Sequence, residues 1–133
     1  MNKRGQVAIE YMVLIGVLLT LVAFLSGYAF MVYNETISSS QFKSSTKSLA
    51  DTINNVYYLG NGNSIAVDFV IPSNVTSIEF NNTQIVTHIN SFGVDSKSTV
   101  FVDTNVFGNI PIVIGTHKVL VKNINGDVNV FII

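Results

Sequence analysis

The chain has 133 residues, of which 48% are hydrophobic and only 11% charged, with a formal net charge of −1. A chain without a basic stripe cannot neutralise a run of phosphates, which sets nucleic acid aside as a partner. It contains no cysteine, which excludes disulfide staples, thiolate metal ligands and cysteine nucleophiles.

Between Glu10 and Glu35 no charged residue occurs, and about 20 apolar residues suffice for a helix to cross the hydrocarbon core. Lys3 and Arg4 precede the run, so the positive-inside rule puts that end in the cytoplasm and everything beyond about Tyr33 outside. Tyr11, Tyr28 and Tyr33 lie towards the two ends, where interfacial aromatics concentrate. A cleaved secretory signal would have a shorter apolar core followed by a small-residue cleavage site. A plain signal anchor fits the length but does not explain Glu10, an acid at the start of a membrane-length segment where charge is costly.

The residues "KRGQVAIEY" (3–11) account for that acid. They resemble the class III signal peptide of archaeal type IV pilins, in which a short basic leader ends in Gly and a prepilin peptidase cuts before a Gln. The resemblance implies a leader over 1–5 with its charge on Lys3 and Arg4, and a cut between Gly5 and Gln6. Gln6, Glu10 and Tyr11 then occupy the motif positions, with Ala8 where the family often has Ser. The related archaellins lack the Glu-Tyr pair. Cutting creates an α-amino group on Gln6, and Glu10 lies four residues, about 6 Å, along a helix from it. The carboxylate can offset that charge in its own chain or in a neighbour, and near a helix start it suits the macrodipole.

The helical pattern continues past the apolar run of 6–34. Ile37, Phe42, Leu49, Ile53, Val56 and Tyr57 recur mostly at spacings of three, four and seven, over a second segment of 35–60. Gly60 and Gly62 supply the stop. A helix over about 6–59 would run roughly 80 Å at 1.5 Å per residue, with Ser26-Gly27 as the expected kink. Its second half can be covered by the following domain. Its first half needs lipid or other copies of itself.

An extracellular β domain is expected over 61–133, and from Ser64 onward the pattern alternates with period two. Expected strands are 64–71, 75–80, 83–89, 98–102, 110–114, 117–124 and 127–133, separated by turn residues. Asn125-Gly126 is the strongest hairpin signal. The fold class is therefore α+β: one long helix packed by its C-terminal half on an antiparallel sheet or small barrel. Three N-x-S/T sequons begin at Asn34, Asn74 and Asn81, all on the expected external side. Asn74 and Asn81, in turns, rank ahead of Asn34, which packed neighbours would shield. His88 and His117 lack an acid at ligand spacing, and no nucleotide or hydrolase motif is present. Neither an enzyme nor a cofactor is expected.

The resemblance implies a structural subunit of an extracellular filament, polymerised through its N-terminal helix and supporting adhesion. Its partners would be the membrane before assembly, the prepilin peptidase, an assembly platform and identical subunits in a helical filament. The alternative is a membrane-anchored extracellular binding module that does not polymerise.

Overall fold

The computed structural model describes residues 3–133. One helix, α1, spans Lys3–Leu59 without a break. Seven strands follow: β1 (Ser64–Ile71), β2 (Val75–Asn81), β3 (Gln84–Ser91), β4 (Val94–Phe101), β5 (Val106–Gly108), β6 (Gly115–Ile124) and β7 (Asp127–Ile132). The α+β expectation holds. The chain forms two compact units, the first ending at Thr36 and the second running from Ile37 to Ile133.

The first unit is a single helix. The chain has no proline before Pro72, and Leu, Met and Ala are strong helix formers. Every residue from Lys3 to Met31 is exposed. The helix is long and apolar enough to cross a membrane. It runs from Lys3, the first described residue, and takes in the whole of the span expected over about 6–59.

The second unit packs the rest of α1 against two sheets. One sheet has the order β1-β6-β7-β5, the other β2-β3-β4. The helix buries Phe42, Thr46, Leu49, Ala50, Ile53 and Val56, a stripe at spacings that return to one face. Phe42 meets Phe69 of β1 edge to face, with ring centroids 5.8 Å apart. Sheet residues Ile85, Val119, Val121 and Val128 are fully buried in the same core. Tyr57, expected on this face, is exposed at its flank, and Ile37 is half-buried. Thr46 enters instead because its Oγ1 donates to the Phe42 carbonyl at 2.9 Å, leaving no unpaired hydroxyl.

Three strand expectations need correction. Residues 110–114 form no strand: Pro111 has no N–H to give a ladder, and the Val113 N–H closes a tight turn on the Pro111 carbonyl at 2.9 Å. The unforeseen strand is β5, and it pairs with β7 in parallel, so the larger sheet is mixed rather than antiparallel. Strand β4 begins at Val94 rather than Ser98 because Phe92 and Gly93 both take positive φ, 52° and 78°, and close a two-residue hairpin. Its first four residues are all exposed, so no alternation marks them in the sequence. At Gly108 a Cβ would lie 2.5 Å from the Val130 carbonyl oxygen, and only glycine lets β5 approach β7 so closely.

The far end of the helix is closed by asparagines. Gly60, at φ 91°, ends it. Asn63 Nδ2 donates to the Leu59 carbonyl at 2.8 Å. The buried Asn123 of β6 donates its Nδ2 to the carbonyls of Val56 and Tyr57, each at 3.4 Å. These bonds satisfy carbonyls that the last helical turn leaves open.

Candidate processing and assembly segment

The residues singled out at the N-terminus all lie on the first unit's helix. Lys3, Arg4, Gly5, Gln6, Glu10 and Tyr11 are helical and exposed. Met1 and Asn2 of the expected leader lie outside the described residues. A Cβ added at Gly5 would meet nothing within 4 Å, so packing of the chain gives no reason for glycine there. Gly108 is the opposite case, fixed by its own fold.

Glu10 shares a face with Val13, Leu14, Val17 and Leu18, one and two turns further on. The flanking side chains are as bare: Met12 is 77% and Tyr11 65% exposed. A carboxylate set in such a stripe is costly in hydrocarbon unless a cation reaches it. The backbone nitrogen of Gln6, which cleavage would turn into a free amine, lies one helical turn away. In the uncut chain that nitrogen is part of the Gly5–Gln6 peptide bond and carries no charge.

The three sequons sit in different surroundings. Asn34 is exposed on the helix, and Asn81 is exposed at the end of β2. Asn74 is half-buried: its Nδ2 donates to Ser39 Oγ at 3.2 Å and to Ser91 Oγ at 3.5 Å. The atom a glycan would occupy is therefore already engaged at Asn74.

Among the described residues neither histidine ring is hydrogen-bonded to another side chain. His88 lies half-buried within β3. His117 Nε2 donates to the Val113 carbonyl at 2.7 Å, which pins the loop before β6. Among the described residues no three His, Cys, Asp or Glu side chains are grouped to hold a metal.

One polar cluster escaped the sequence reading. Tyr58 Oη donates to Asp103 Oδ2 at 2.7 Å, and the Asp103 backbone N–H donates to Asn54 Oδ1 at 2.9 Å. The accepting carboxylate of Asp103 holds the Tyr58 phenol above its usual range. The cluster ties the loop between β4 and β5 to the helix. Partners 45 and 49 residues apart share no local pattern, so only the fold brings them together.

Residues 3–28 match the family model of the class III signal peptide, the signature of archaeal type IV pilins and other prepilin-peptidase substrates. The match covers the leader and most of the apolar run and leaves the β strands outside it. It shows a resemblance to type IV pilins over that segment alone. Together with the apolar helix it fits a membrane-anchored precursor. No curated protein and no solved structure matched the chain.

Proposed function

We propose that the chain is a structural subunit of an extracellular archaeal type IV pilus. It is inserted with its N-terminus in the cytoplasm, cut between Gly5 and Gln6 by a prepilin peptidase, and passed by an assembly platform into a helical filament of identical subunits. The β strands then face outward and support adhesion, and no catalytic step is assigned to them.

The observation that carries this reading is the coincidence of two features on one helix. A class III signal matches residues 3–28, and every side chain from Lys3 to Met31 is exposed. An apolar helix of that length needs lipid or other helices around it. A filament core supplies the second once cleavage has removed Lys3 and Arg4. Glu10 supports the same reading, because its partner charge arises only on cutting.

The deciding experiment is N-terminal sequencing of the protein recovered from the cell surface, paired with electron microscopy of the same fraction. We expect a chain beginning at Gln6 in a fraction rich in filaments. Surface protein that still begins at Met1 would overturn the proposal and leave a membrane-anchored module that does not polymerise.

A further inference from the structure

The second unit is polarised along its length. From Ser39 to Tyr57 the helix advances about 27 Å, and from Gly115 to Asn123 strand β6 advances about 26 Å. Both ends are fixed by contacts. At one end Asn123 reaches the carbonyls of Val56 and Tyr57. At the other, Asn74 bonds Ser39 and Ser91, its carbonyl accepts from the Asn90 N–H at 2.7 Å, and Ile71 pairs with Gly115.

The end marked by Ser39 is apolar where it meets solvent. It carries the Ser91–Val94 hairpin and the loop leading into Gly115. Ile112, Val113 and Ile114 are 44%, 53% and 67% exposed. Phe92 and Val94 are likewise exposed, and no charged residue interrupts 91–94 or 109–116. The end marked by Tyr57 also shows Leu59, Phe101 and Ile124, but among exposed Asn61, Asn63, Asn82 and Asn125.

Phe92 adds a second, independent sign. Among the described residues three non-glycine residues take positive φ: Asn82, Phe92 and Asn125. Asparagine tolerates that region, whereas a bulky aromatic there is an outlier. At this turn the chain accepts backbone strain and also leaves a phenyl ring in water. Neither contributes to its own core.

We propose that this end of the domain rests in the outer interface of the lipid bilayer before assembly, with Phe92 and residues 112–114 inserted among the headgroups. The inference rests on reading the apolar run of α1 as a membrane span. Ser39 follows Tyr33 by only six residues, a link that reaches at most about 21 Å even fully extended, so chain connectivity alone limits how far these loops can lie from the membrane surface. Every copy meets lipid on insertion, whereas a neighbouring subunit is met only on assembly. An exposed apolar patch held at that depth fits the interface.

The chain lacks cysteine, so single reporter sites are clean. Full-length Phe92→Cys, Val113→Cys and Asn125→Cys would each carry an environment-sensitive fluorophore in phosphatidylcholine vesicles at high lipid-to-protein ratio. A Val17→Cys label reports insertion of the span. We expect labels at 92 and 113 to emit at shorter wavelength, to be quenched by headgroup-level nitroxide lipid, and to lose quenching by aqueous iodide. The label at 125 should behave oppositely. Iodide quenching at 92 and 113 equal to that at 125 would overturn the proposal. So would a wavelength shift that ignores nitroxide lipid and disappears on dilution with more lipid, which marks a second copy instead. If Val17 itself escapes lipid quenching, the span fails too, and with it the proposed function.

Discussion

Asn123 and Tyr57 are 66 residues apart, yet the side chain of the first donates to the carbonyl of the second at 3.4 Å. The same amide group also accepts the Gly126 N–H on its Oδ1 at 3.0 Å. One buried asparagine thus joins the end of the helix to the β6–β7 hairpin. Asn123→Leu leaves the Gly126 N–H and the helix carbonyls unpaired, at a cost of about 1–3 kcal/mol. Thermal unfolding of the full chain in detergent should show the loss. An unchanged midpoint would mean that water replaces every one of those bonds.

Gly5→Ala and Gly108→Ala should separate processing from folding. At Gly108 the new methyl meets the Val130 oxygen, and forcing β5 away from β7 costs about 1–3 kcal/mol. At Gly5 the methyl enters open space, so the unfolding midpoint stays put while leader removal, followed by gel shift on incubation with peptidase, slows or stops. Equal stability effects at the two sites would contradict the packing account.

Glu10→Leu should leave membrane insertion and cleavage intact and remove filaments. The substitution lengthens the apolar run and eliminates the carboxylate that, on the proposed reading, offsets the Gln6 amine. Electron microscopy of surface preparations reads the outcome, with membrane fractionation and N-terminal sequencing as controls. Abundant filaments from processed Glu10→Leu protein would show that the charge pair is dispensable.

The bond between Tyr58 and Asp103 predicts an alkaline limit. In the folded chain the phenol titrates above its ordinary value of 10.0, so the bond's contribution is whole below that pH. It is lost as pH rises through the raised value, because the unfolded phenol gives up its proton more easily. The wild-type unfolding midpoint should therefore fall more steeply above pH 10 than that of Tyr58→Phe. Parallel curves for the two proteins would remove the assignment.

Among the sequons, glycan should be found at Asn81 and absent from Asn74. A transferase needs a free side-chain amide. Asn81 is exposed, whereas Asn74 spends its amide on Ser39 and Ser91. Intact-mass measurement on protein from the native host should show a step lost in Asn81→Gln and unchanged in Asn74→Gln.

The sequence by itself determined whatever depends on neighbours along the chain. The helix from Lys3 to Leu59, strand β1 and the Asn125-Gly126 hairpin follow from composition, periodicity and turn chemistry within short windows. The likeness to a class III signal was legible for the same reason, since Gly5, Gln6, Glu10 and Tyr11 lie within seven residues of the matched stretch. Only the tertiary structure decided that β5 pairs with β7 in parallel, that Thr46 rather than Tyr57 faces the core, and that Asn74 is engaged. It also placed Tyr58 on Asp103 and gathered Phe92 and residues 112–114 at one end of the domain. Each of these joins residues far apart in sequence, and such pairings are set by which apolar faces bury one another, a competition no local window contains.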